Sequence, residues 1–120
     1  MNEYFNTRFR HSEIKEKIWK ELAEYFQKNI PIKPHDTVLD LGAGYCYFIN
    51  NIRCKEKHAL DICPIPLNNA QQDVIKHVRS CTNLKIFKTK FFDVVFCSNL
   101  LEHLDVCTIP PHMLHLIERL

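Results

Sequence analysis

Apolar residues recur along this chain with two different periods. Over residues 12–29, Ile14, Ile18, Leu22, Tyr25 and Phe26 stand three or four positions apart, with Lys and Glu filling the intervals. That spacing predicts an amphipathic helix burying these five side chains, with Trp19 beside the stripe. Ser12 is placed as its N-cap and Glu13 in its first turn, while Pro31 and Pro34 end it. Farther along, the apolar residues come in short blocks: Val38, Leu39 and Leu41; Ala59, Leu60 and Ile62; Val74, Ile75 and Val78; Val94, Val95 and Phe96. They predict strands at 36–41, 57–62, 74–79 and 92–97. Between the first two, Phe48, Ile49 and Ile52 predict a helix over 45–53. Pro64 and Pro66 break the chain, and Asn68 to Gln72 predict a short helix before the third strand. Pro110-Pro111 opens a last helix with Met113, Leu114, Leu116, Ile117 and Leu120 on its apolar side. Strands alternating with helices imply an α/β fold with a parallel sheet and crossover helices.

The chain's only two glycines, Gly42 and Gly44, directly follow the first strand. Glycine accepts positive φ and lets a ligand approach the backbone. A strand, a glycine turn and a helix are the parts from which open α/β sheets build nucleotide sites beyond their carboxyl ends. Asp40 precedes the glycines, and a carboxylate there repels a pyrophosphate but suits a cation such as an α-ammonium group. The third glycine of the dinucleotide fingerprint would fall at Tyr47, so a nicotinamide-dependent oxidoreductase is disfavoured. Asp61 closes the second strand near the separation from Gly44 at which such folds place an acid on ribose hydroxyls. A carboxylate accepts two hydrogen bonds and so matches a diol. A ligand-free turn and an ordinary strand-end acid are the structural alternatives.

Composition narrows this further. A chain of 120 residues, 46% apolar and 25% charged, is one soluble globular domain. A net charge of +2 gives no electrostatic case for nucleic acid or an anionic membrane. No apolar run reaches bilayer length, and the N-terminus lacks a signal-peptide pattern, so a cytoplasmic location is expected. Six cysteines (Cys46, Cys54, Cys63, Cys81, Cys97, Cys107) form no C-x-x-C pair. Neither a metal site nor a disulfide framework is expected from them. The seven histidines are scattered; His112 and His115 share a helical face among apolar neighbours. Residues 1–11 hold Tyr4, Phe5, Arg8, Phe9, Arg10 and His11. They read either as an arm packed on the domain or as a lid whose Arg8 or Arg10 meets a carboxylate.

Asp40-x-Gly42-x-Gly44 after a strand resembles motif I of the class I S-adenosylmethionine-dependent methyltransferases, with Cys46 where the usual pattern has a further glycine. Phe92-Asp-Val-Val-Phe-Cys97 followed by Ser98-Asn99-Leu-Leu-Glu102-His103-Leu104 closely resembles the fourth-strand region of the small-molecule members. The resemblance runs from about residue 4 to residue 120. It implies a Rossmann-like three-layer sandwich with S-adenosyl-L-methionine as cofactor. Asp40, Gly42, Ala43 and Gly44 would surround its methionine part. Asp61 would hold the ribose, with Ile62 also at the cofactor. Ser80, Cys81 and Thr82 would edge the adenine where the family often has an acid. Ser98 and Asn99 would face the reactive end. Glu102 and His103 are candidates for moving a proton from the acceptor; alternatively they open a helix, Glu102 near its N-terminal dipole.

The family sheet has the order 3-2-1-4-5-7-6, and this chain holds segments for 3-2-1-4 only. The expectation is a single, incomplete, truncated domain over 1–120, with an arm and helix at 1–34 and a cofactor-binding core at 35–120. Val94, Val95 and Phe96 would lie on a free apolar edge, inviting self-association or a partner. The implied function is methyl transfer to a small-molecule or sugar-type acceptor. The alternative is an inactive remnant that binds cofactor or a protein partner only.

Overall fold

The computed structural model describes residues 13–81, 84–88 and 90–97. Its elements run α1 (Glu13–Asn29), β1 (Thr37–Leu41), α2 (Tyr47–Asn50), β2 (Glu56–Asp61), α3 (Pro64–Leu67), β3 (Val74–Val78) and β4 (Val94–Phe96). The four strands form one parallel sheet in the order β3-β2-β1-β4. This is the Rossmann-like α/β arrangement expected from the sequence. Leu39 pairs with His58 on one side and Val95 on the other, which sets β1 at the centre. Asp93 fixes the entry to β4: its carboxylate accepts the Thr37 N–H at 2.8 Å, and its own N–H donates to the Thr37 carbonyl at 2.9 Å.

Alternate residues of each strand face opposite layers. One face carries Val38, Ala59, Val74, Val94 and Phe96 and packs on Ala23, Phe48, Ile49, Ile52 and Leu67 from the helices and their connections. The other carries Leu39, Leu41, Leu60 and Val95 and is covered by Leu84 and Phe92, from the connection between β3 and β4. The side chains of Val94, Val95 and Phe96 are therefore buried on both faces, although β4 pairs only with β1 among the described residues. The expected apolar edge is an edge of backbone, not of exposed side chains.

Of the stripe expected to bury α1, only Phe26 packs on the core. Ile14, Ile18 and Tyr25 are 71%, 52% and 61% exposed, whereas Ala23 and Gln27 are buried. Trp19 and Phe26 meet Phe96 with ring centroids 6.0 and 5.2 Å apart, and Phe26 also meets Phe48. Trp19, Ala23, Phe26, Gln27 and Ile30 are themselves at helical spacing, so the two patterns compete. Gln27 decides between them. Its Nε2 donates to the Ile32 and Arg53 carbonyls at 2.8 and 3.0 Å, and its Oε1 accepts the Arg53 N–H at 2.8 Å. One polar side chain thus satisfies three backbone groups that would otherwise be stranded beneath the helix.

The helix expected over 45–53 shrinks to α2, because Cys46 before it is left-handed (φ 64°) and Asn51 caps its end. The short helix lies at Pro64–Leu67, not at 68–72: Pro64 opens it and Asn68 caps it. Ser12, the arm at 1–11 and the last helix after Pro110 lie outside the described residues. No helix among the described residues is long and apolar enough to cross a membrane.

Buried His58 and half-buried His77 form a pair on the face opposite the helices. Their rings stack 9° from parallel with His58 Nδ1 2.8 Å from His77 Nε2, so one nitrogen donates and the other accepts. Phe87 and Phe92 stand edge-on to His58. A Glu56 carboxylate oxygen lies 3.1 Å from His58 Nε2 without the alignment of a hydrogen bond. Burial pushes both imidazoles below their usual 6.5; at His77 the neighbouring His58 and Arg79 add to it.

Two tests follow from this packing. Gln27→Leu keeps the bulk but strands its three backbone partners, and should cost about 2–3 kcal/mol in urea denaturation. Ile18→Gln, on the exposed stripe, should stay within about 0.5 kcal/mol. The histidine pair has a definite sign. Below pH 6.5 the unfolded chain takes up protons that the folded pair resists, so this contribution to stability is lost as pH falls toward the depressed folded values. The drop in melting temperature between pH 7 and pH 5 should be smaller for His77→Gln than for the wild type.

Candidate functional site

Successive connections carry the chain from β1 leftward to β2 and β3, then back across to β4. The order therefore reverses beside β1, and open α/β sheets bind ligands outside the carboxyl ends of the strands at such a point. The turn Gly42–Cys46 occupies that position. The Leu60 carbonyl accepts both the Gly42 and Ala43 N–H groups, at 2.8 and 2.9 Å, which fastens the turn to the neighbouring strand. The Cys46 N–H closes it by donating to the Ala43 carbonyl at 2.9 Å. Gly42, Gly44 and Cys46 all have positive φ, at 75°, 55° and 64°. Among the described residues, a Cβ built on Gly44 would meet nothing within 4 Å, so this backbone faces open space.

Asp61, at the end of β2, is the polar centre of the site. Its Oδ2 accepts the Gly44 N–H and its Oδ1 the Cys63 N–H, each at 2.9 Å. Each oxygen keeps a further lone pair for a ligand. Ile62, the next residue, is 63% exposed and sets an apolar surface beside the carboxylate. The Arg79 N–H donates to the Asp61 carbonyl at 3.1 Å, bringing half-buried Ser80 and Cys81 to the same end of the sheet. Cys81 is close enough for the Asp61 charge to add to burial in raising its thiol.

Asp40 lies deeper. Its side chain is buried, and burial raises its carboxyl to about 7, with the Asp61 charge adding to the shift and the Ile49 N–H, which donates to it, opposing it. Cys46 turns its side chain inward. It is 0% exposed, donates to the Gly44 carbonyl at 3.6 Å, and burial with the charges of Asp40 and Asp61 pushes its thiol up to about 12. The residue that replaces a glycine of the family pattern thus fills core, not the open space over Gly44.

The structure brings Asp40, Gly42, Ala43, Gly44, Asp61, Ile62, Ser80 and Cys81 to one end of the sheet. Thr82, Ser98, Asn99, Glu102 and His103 lie outside the described residues. Two residues that hydrophobic patterning passes over also belong here. Asn69 Nδ2 donates to the Tyr45 carbonyl at 2.7 Å, and Asn50 braces Asn69 from behind. Their only signal in the sequence is turn-forming composition. Among the described residues no group of three or more His, Cys, Asp or Glu is arranged to hold a metal ion, and the cysteines are free thiols.

The family model described as "Methyltransferase domain" matches residues 39–120, which takes in the turn, Asp61 and β4. The chain belongs to the methyltransferase-domain family. Its fold is similar to that of the YcgJ protein from Bacillus subtilis, with a TM-score of 0.58 at 20% sequence identity. The match covers 73% of this chain and 42% of that one, so the chain spans less than half the length of that structure. No curated protein sequence matches it.

The raised Asp40 carboxyl yields a further test. The unfolded group titrates near 3.8 and the folded one near 7, so its contribution is complete below pH 3.8 and is lost as pH rises through 7. Asp40→Asn keeps an acceptor for Ile49 without the charge. It should melt higher than the wild type at pH 8, with the gap narrowing at pH 5.

Proposed function

We propose that this chain binds S-adenosyl-L-methionine and serves methyl transfer to a small-molecule or sugar-type acceptor. The observation that carries the reading is the Asp61–Gly44 arrangement. The carboxylate has free lone pairs beside a positive-φ glycine whose Cα faces open space, with exposed Ile62 next to it. A ribose diol suits the carboxylate, an adenine suits the apolar face of Ile62, and the open backbone admits the chain between them. These residues fit an adenosyl ligand. When bound, the cofactor supplies a methyl group already activated on a sulfonium. Asp61 then orients the ribose, the turn at Gly42–Gly44 allows close approach, and Asp40 beneath it favours positive charge over a pyrophosphate. Positioning of this kind is a large part of what a transfer between two bound partners requires. Family membership and the resemblance of the 92–104 run to small-molecule methyltransferases support the acceptor class.

Calorimetric titration with S-adenosylhomocysteine, with NAD as the control, tests the reading. S-adenosylhomocysteine should bind at micromolar level and NAD should not. Asp61→Ala should weaken binding by about 10- to 100-fold, as expected for losing charge-assisted hydrogen bonds. Ile62→Ser, at an exposed position, should weaken it less and leave the melting temperature unchanged. A folded wild type that ignores S-adenosylhomocysteine overturns the proposal.

A further inference from the structure

The glycine turn is held from inside by Leu60 and Asp61, and from outside by an amide relay. Asn69 Nδ2 donates to the Tyr45 carbonyl at 2.7 Å. The Asn69 carbonyl accepts Asn50 Nδ2 at 3.0 Å, and Asn50 Oδ1 accepts the Gln71 N–H at 2.9 Å. The Asn69 N–H is itself fixed on the Pro66 carbonyl at 3.0 Å. Four segments therefore meet through two side-chain amides: the turn at Tyr45, the end of α2, the exit of α3 and the approach to β3.

The relay grips the turn where its conformation is least favourable. Tyr45 lies between Gly44 and Cys46, both at positive φ, and a residue with a side chain reaches that region at a cost. Such a conformation persists only where its surroundings over-determine it. The Asn69 bond orients the Tyr45–Cys46 peptide from one side, while the Cys46 Sγ contact and the Ala43 carbonyl hold it from the other. α3 is a single turn of helix, and the chain enters β3 soon after it, so Asn69 is brought over the turn by a short, stiff connection.

We infer that Asn69, braced by Asn50, is a positioning residue for the ligand site: it holds the Gly44–Cys46 backbone in its binding geometry without touching the ligand. The inference rests on the cofactor reading above for its binding consequence, but its effect on the turn does not. Two near-isosteric variants remove the donor, Asn69→Asp with an added charge and Asn69→Leu without one. Asn51→Asp is the matched control, since Asn51 Nδ2 donates to the Tyr47 carbonyl at 2.7 Å, bracing α2 without bonding to any residue of the Gly42–Cys46 turn.

Calorimetry with S-adenosylhomocysteine well below the melting temperature should show both Asn69 variants binding about tenfold more weakly, with Asn51→Asp within about twofold of wild type. In the free proteins, hydrogen exchange of the Gly44 and Cys46 amides should quicken in the Asn69 variants while the β1 amides stay protected. Unchanged exchange at Gly44 and Cys46 overturns the inference, whatever the ligand does. Equal binding losses in the Asn69 variants and Asn51→Asp overturn it too, because they reduce Asn69 to general stability. A wild type that fails to bind S-adenosylhomocysteine overturns the cofactor reading instead, and the exchange measurement still decides the role of Asn69.

Discussion

Both oxygens of Asp61 accept backbone amides, one from the turn after β1 and one from the exit of β2. This double acceptance joins two strand ends that the sheet's hydrogen bonds no longer reach. The Leu60 carbonyl, one residue earlier, takes two more amides from the same turn. Four N–H groups at the lip of the sheet are thus satisfied by two consecutive residues of β2. Buried or half-buried amides need such partners, so the shape of the lip is dictated by where β2 ends. The open space over Gly44, the exposed side of Ile62 and the positions of Ser80 and Cys81 all follow from that one junction.

Beneath the lip the two faces of the sheet are built differently. Helices cover one, with Phe26, Phe48 and Phe96 in contact across it. The chain between β3 and β4 covers the other, with Phe87, Phe91 and Phe92 around the His58–His77 pair. Edge-on aromatic rings and a neutral imidazole pair are compatible because neither brings a net charge into the core. The turn leaves β1, which is paired on both sides, by β2 and by β4.

Much of this was legible in the sequence, for identifiable reasons. Two glycines directly after an apolar run, with an acid before them and another closing the next run, locate the turn, β1, β2 and Asp61. The short apolar blocks locate β3 and β4 within a residue or two at each end. What patterning missed were places where a polar residue does a buried job. Gln27 stands outside the apolar stripe that periodicity picks out on α1, and only the carbonyls of Ile32 and Arg53 that it satisfies reveal its role. Pro64, a chain break by pattern alone, opens α3 because proline suits the first turn of a helix. Asn50 and Asn69 carry no periodic signal, since their partners lie about 20 residues away along the chain.

Cys46 carries a consequence of a different kind. Only the thiolate reacts readily with alkylating and oxidising agents, and this thiol is both sealed from solvent and held far above the range in which it ionises. In the closed molecule it is chemically silent. A reagent can reach it only when the turn lifts away from the core, so the pace of its modification is a clock for that opening. The side chain that stands in for a glycine is, in effect, a seal whose breach leaves a covalent mark.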